Sequence, residues 1–197
     1  VARQLLHSII AYMESKDFQP SSELSFDVLN KIFSPAIGDA DANMADFNDV
    51  VLNVSASANM TLMGASVPWQ SNFDRAAVKA EGFDYSVSGE AWHDIQGSSW
   101  HGVKFEVVIT CPKGFEGVLL VKFGDWDNQN RSTLVQFNAK DFGRLSDIGV
   151  KGKWITIPVS AKDSADGRLV LGANATSGPN AMISQIILAH KTSGSEH

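Results

Sequence analysis

From Val103 to Leu188, short apolar runs recur between turns rich in Gly, Asp and Asn. The runs are Val103–Ile109, Gly117–Phe123, Ser132–Phe137, Trp154–Val159, Arg168–Gly172 and Met182–Leu188. Strands this short cannot bury their faces singly, so the spacing predicts a two-layered antiparallel sandwich or barrel. Upstream the period changes. Leu5, Leu6, Ile9, Ile10 and Met13 fall on one helical stripe, and Leu24, Val28, Leu29 and Ile32 on a second. Pro20 ends the first helix and Ser34-Pro35 the second, because the residue before a proline disfavours the helical region. Two helices of this length need a partner surface. The predicted organisation is therefore a helical leader over 1–35, an acidic connection over 36–57, a β-sandwich over 58–191 and a mobile tail over 192–197. The connection includes one candidate strand, Asp49–Val54.

With 197 residues and a β ladder over most of them, the chain has no room for a TIM-barrel catalytic domain, which takes about 250. A hydrophobic content of 44% and a charged content of 19% are those of a folded protein. The net charge of −6 with scattered Lys and Arg offers no basic face for nucleic acid. No apolar run reaches the length of a membrane span. Cys111 stands alone, which excludes an internal disulfide and a cysteine-based zinc cage, and its place between a strand and Pro112 reads as a structural thiol. The chain opens on Val1 and turns helical at once, as expected of a piece of a longer protein.

Three stretches invite a chemical reading. Asp39-x-Asp41-x-Asn43 begins like a calcium loop, but Met44 and Val50 stand where the sixth-position Gly and twelfth-position Glu belong, so a solvated connection is favoured. Asp125-Trp126-Asp127-Asn128-Gln129-Asn130-Arg131 joins two strands and belongs at one end of the sandwich. An aromatic face beside carboxylate, amide and guanidinium groups suits a sugar, whose C–H face packs on the ring while its hydroxyls meet the polar groups. The other reading is a hydrophilic turn with Trp126 folded back on the core, since Asp and Asn are ordinary turn residues. The segment Glu90–His101 is read as a loop with two Trp-His pairs, Trp92-His93 and Trp100-His101, that line a groove, with Trp69 in an earlier loop. No third ligand spacing supports a metal there, so substrate-binding or structural roles are expected. Trp154, inside a strand, reads as core. The candidate saccharide contacts are thus Trp92, His93, Trp100, Asp125, Trp126, Asp127, Asn128 and Arg131. Glycoside cleavage needs two carboxylates flanking a bond, and Glu81, Glu90, Glu106 and Glu116 sit in no such context. No catalytic residue is assigned.

Ala2-Arg3-Gln4-Leu5-Leu6-His7-Ser8-Ile9-Ile10-Ala11-Tyr12-Met13, continuing to Phe18-Gln19-Pro20, resembles the closing helix of a domain in large family-two glycoside hydrolases of gut-type bacteria. Gly152–Val159, Asp166–Leu171 and Ser177–Ser184 are similar to the last strands of galactose-binding-like jelly rolls. The resemblance implies a jelly-roll accessory domain with a β-galactosidase-like catalytic domain upstream as its partner, and a periplasmic or extracellular location. It implies no cofactor beyond the structural calcium that such jelly rolls often hold, for which no ligands can be matched here. Two functions follow: a non-catalytic carbohydrate-binding domain with a glycan as ligand, or a structural domain packed on the catalytic core. An autonomous hydrolase ranks last, for want of any motif.

Overall fold

A computed structural model of the chain describes residues 12, 15, 49–56, 78–93 and 98–190, with the side chain of His93 excepted. The chain divides into two compact units, Val1–Phe33 and Ser34–His197, and the described strands all belong to the second. Of the first, Tyr12 is helical and Ser15 Oγ donates to its carbonyl at 2.7 Å. The rest of the two expected helices, the Asp39–Asn43 motif, Trp69 and the tail 192–197 lie outside the described residues.

The described part is almost entirely β. Its strands are β1 Val50–Ser55, β2 Val78–Lys79, β3 Asp84–Val87, β4 Glu90–His93, β5 Ser98–Gly102, β6 Lys104–Thr110, β7 Gly117–Phe123, β8 Ser132–Phe137, β9 Lys140–Leu145, β10 Lys153–Val159, β11 Arg168–Ser177 and β12 Ala181–His190. They form two antiparallel sheets. The larger runs β10-β7-β12-β1-β2, with β5 also on β12 and β4 on β5; the smaller runs β3-β6-β11-β8-β9. Strict alternation explains which face is which. Leu119, Val121 and Phe123 of β7 and Ile155, Ile157 and Val159 of β10 meet Phe105, Val107 and Ile109 of β6 and Leu169, Leu171 and Ala173 of β11 in one buried cluster.

The larger sheet departs from the simple rule. All of β12 from Ala181 to Ala189 is buried, so both of its faces are covered. Its outer side carries a small second cluster, Leu120 and Ile187, with Val50, Val118 and Trp154 packed against it. Beside that cluster the buried Gln185 Nε2 donates to Asn53 Oδ1 at 2.9 Å. Pro158, which has no N–H to give a second neighbour, sits on the edge strand β10. β1 lies between β12 and β2, so the candidate strand read at Asp49–Val54 is a strand of the sheet, spanning Val50–Ser55, inside the stretch read as an acidic connection.

In the smaller sheet, the two residues between β8 and β9 both take positive φ, 47° at Asn138 and 63° at Ala139, as a tight primed turn requires. Asn138 then ties the sheet to the β10–β11 loop. Its Oδ1 accepts from Val170 N at 2.9 Å and its Nδ2 donates to Asp163 O at 2.8 Å. Asn138→Ala is expected to cost about 1–3 kcal/mol by leaving the Val170 N–H without its acceptor. Urea denaturation measures the loss and amide exchange at Val170 locates it; unaltered exchange there would refute the assignment.

Candidate functional site

The loop from Gly124 to Arg131 leaves the larger sheet after β7 and enters the smaller at β8. Asp125 shapes it: its carbonyl accepts from Asn128 N at 2.9 Å, and its carboxylate from Gln129 N at 2.9 Å and Arg131 N at 3.3 Å. Asn128 and Asn130 take positive φ, which asparagine tolerates better than most side chains. The side chains of Asp125 and Arg131 are 3% and 4% exposed, and Arg131 Nη1 donates to Asp125 Oδ1 at 2.6 Å. The same guanidinium contacts both oxygens of Asp127, Nη1 to Oδ1 and Nη2 to Oδ2 at 3.1 Å. That bond holds the Asp127 carboxyl below its ordinary range, against the opposing effect of partial burial. Arg131 Nε donates to Asn180 Oδ1 at 2.8 Å, and Asn180 Nδ2 lies 3.4 Å from His101 Nδ1. The two segments singled out in the sequence therefore meet at one end of the sandwich, joined through Asn180 in the β11–β12 turn. Asn180 carries no local sequence signal, because it acts on Arg131 from 49 positions away.

Asp125 and Arg131 build the loop from inside. What the loop presents outward is Trp126 and Asp127, both half-buried, and the exposed Asn128, Gln129 and Asn130. Trp126 lies against backbone: a Cβ on Gly124 would come within 2.6 Å of its ring, and one on Gly152 within 3.0 Å. Lys122 Nζ lies 5.5 Å from the Trp126 ring centroid and 5.8 Å from that of Trp154. Burial pushes the Lys122 ammonium pKa down. Trp154 is half-buried on the outer face of β10, opposite Lys122 in register, and not in the main core, since Ile155 and Ile157 take the inner positions.

The segment from Glu90 to His101 is a hairpin and not a loop, with Ala91 opposite Trp100 and Trp92 opposite Ser99. Alternation separates the two tryptophans. Trp100 faces the core, 5% exposed and 6.0 Å from the Tyr85 ring in an edge-on arrangement. Trp92 is half-buried on the other face. The backbone of His93 pairs with Ser98, and its side chain lies outside the described residues.

Sequence reading misses a concave surface elsewhere on the fold altogether. The outward face of the smaller sheet holds a cleft of about 390 Å³. Its floor is Val170 and Gly172 of β11, flanked by Glu106 of β6 and Gln136 of β8, and the β10–β11 loop walls it at Lys162, Asp163 and Asp166. Only the register joins these groups: Gly172 is opposite Glu106 on one side and Gln136 on the other. Among the described residues no three His, Cys, Asp or Glu side chains gather as a metal site, and no helix is long and apolar enough to cross a membrane. No family model matches this chain, and no curated protein matches it either.

Proposed function

We propose that the chain is a non-catalytic carbohydrate-binding accessory domain of a bacterial, β-galactosidase-like glycoside hydrolase, built as a galactose-binding-like jelly roll. The observation that carries the reading is the half-buried Trp126 indole at the sandwich end, fixed against Gly124 and Gly152 beside the outer edges of Asp127 and Asn128. A ring locked by backbone loses little freedom when a sugar settles on it, and the neighbouring carboxylate and amide supply acceptors and donors for hydroxyls. The Arg131 guanidinium provides the positive charge between Asp125 and Asp127, so the loop keeps its shape through its own residues. Attachment to a hydrolase rests on the likeness of residues 2–13 and 18–20 to a helix of that enzyme family, and the jelly-roll reading on the likeness of residues 152–159, 166–171 and 177–184 to galactose-binding-like domains. Its catalytic domain, joined in the same chain, is the expected partner, because tethering makes weak sugar binding useful on a polymeric substrate.

One carboxylate of the smaller sheet's cleft is unsuited to general-acid work. In the cleft of the smaller sheet, Asp163 is held below its usual range by hydrogen bonds from Ser160, the wrong direction for a general acid. The second reading, a structural domain packed in the parent enzyme, is favoured by the outer face of the larger sheet, where the half-buried Val50, Val118 and Trp154 leave apolar area beside the covered Leu120 and Ile187. Calorimetric titration with galactosides and plant glycans separates the two. Binding is expected to be weak, and Trp126→Ala to reduce it by about 2.5 kcal/mol, the value of roughly 100 Å² of sugar removed from water. Titrations without heat for every glycan, or a Trp126→Ala chain that binds as well as the parent, would leave the packing role standing.

A further inference from the structure

We propose that the cleft on the outward face of the smaller sheet is a second saccharide site, separate from the Trp126 end, that takes a neutral, hydroxyl-rich sugar unit. It shares a ligand class with the reading above but none of its residues, so either can fail alone. The two places lie at opposite ends of β8 and β11: the Trp126 loop enters β8 at Ser132, whereas the cleft reaches Gln136, Asn138 and Arg168.

The volume of about 390 Å³ lies in the range of small-ligand pockets. The walls are preformed. Asn138 is bonded at both ends of its amide, and Gln136 accepts from Asn174 at 3.0 Å and donates to Asp141 at 2.8 Å. The β10–β11 loop is pinned from below, where the buried Ser164 Oγ donates to Phe115 O at 2.7 Å. The amides are therefore occupied, and the groups left for a ligand are charged. Among the described residues, no hydrogen bond or ion pair engages the side chains of Glu106, Lys162 or Arg168, all exposed around the cleft.

Their placement selects the ligand. Glu106 is opposite Gly172, and Arg168 precedes Gly172 by four residues on β11. At about 3.3 Å per residue the carboxylate and guanidinium roots are roughly 13 Å apart, too far for mutual neutralisation. An anion drawn to Arg168 and Lys162 meets Glu106, Asp163 and Asp166, and a cation drawn to the acids meets the two bases. A hydroxyl group satisfies both signs, since it donates to a carboxylate and accepts from a guanidinium or ammonium. Gly172 leaves the floor between them flat, where a Cβ would already press within 3.2 Å of Gln136. With Val170 beside it, this strip accepts the C–H face of a sugar ring.

The test is an amide-resolved NMR titration of the chain with neutral disaccharides (galactobiose, cellobiose, xylobiose and mannobiose) against digalacturonate and a chitosan disaccharide. The expected result is millimolar binding of at least one neutral sugar, read as shifts at Val170, Gly172 and Asn138 that persist in Trp126→Ala. Glu106→Gln and Arg168→Met are each expected to weaken it by about fivefold, and Gly172→Val to abolish it by filling the floor. Should Gly172→Val not fold, the two charge variants carry the test. The proposal is overturned if no neutral disaccharide moves these amides at about 50 mM. It is equally overturned if a charged disaccharide binds the cleft more tightly, or if the shifts vanish only in Trp126→Ala.

Discussion

Replacing Arg131 with methionine is expected to destabilise the sandwich by about 3–5 kcal/mol, the usual cost of removing one partner from a buried ion pair. The side chains of Asp125 and Arg131 are 3% and 4% exposed, so the Asp125 carboxylate would lose its buried cation and keep only the backbone N–H groups of Gln129 and residue 131. Asn180 would lose its donor and the loop its link to His101. Adding Asp125→Asn to Arg131→Met should recover part of the loss, since the amide is neutral and its oxygen still accepts from the two backbone N–H groups. The acid dependence follows from Asp127. Its folded pKa lies below the unfolded value of about 3.9, chiefly through the Arg131 hydrogen bond. Its contribution is therefore complete above that value and disappears as pH falls through the lower, folded one. Arg131→Met removes this contribution, so the stability gap between parent and variant should narrow from pH 7 toward about pH 3. Urea titrations at the two pH values measure the gap; a loss below about 1 kcal/mol at pH 7 would mean that the pair is solvated.

The strand ladder is legible because alternation and turn residues agree. β7 and β8 occupy the runs read from the sequence, and β6, β10 and β12 differ by a few residues at their ends. β11 continues to Ser177, through Asn174 and Thr176, whose polar side chains lie on the outer face and hide the alternation. β9 is hidden for a related reason: Lys140–Leu145 is an edge strand with only Phe142 and Leu145 apolar. The β4–β5 hairpin reads as a loop because Ser98, Ser99 and His101 leave Trp100 as the one large apolar side chain of β5. At the candidate site, the turn chemistry of Asp125–Arg131 is plain in the sequence, but which groups face inward is not. That depends on Asn180 and Gly152 arriving from other turns. The cleft is less legible still. Alternation places Glu106, Gln136 and Gly172 on outer faces one strand at a time, yet only the order β6-β11-β8 sets them side by side, and no local pattern encodes that order.

Two adjacent residues of β7 test the division between inner and outer faces most directly. Phe123→Ala is expected to cost about 3–5 kcal/mol, a large part of the 5–15 kcal/mol that holds a domain together. The side chain is fully buried, and its backbone pairs with Lys153 of β10 on one side and Ile183 of β12 on the other. Those strands fix the walls of the space the ring would leave, so the site cannot collapse to fill it. Lys122→Met, one position earlier, should change stability by less than about 1 kcal/mol. The substitution gives up cation–π contacts with Trp126 and Trp154 but also removes an ammonium whose depressed pKa marks its burial as unfavourable. The consequences for the loop end should run together with the stability. Phe123 directly precedes Gly124, on which Trp126 rests, so loss of the ring loosens the base of the indole platform, whereas Lys122→Met leaves that base packed. Paired urea denaturation and tryptophan fluorescence distinguish the two: a red-shifted emission is expected in folded Phe123→Ala and none in Lys122→Met. The reverse order of effects would mean that β7 is turned over, with Lys122 on the inner side.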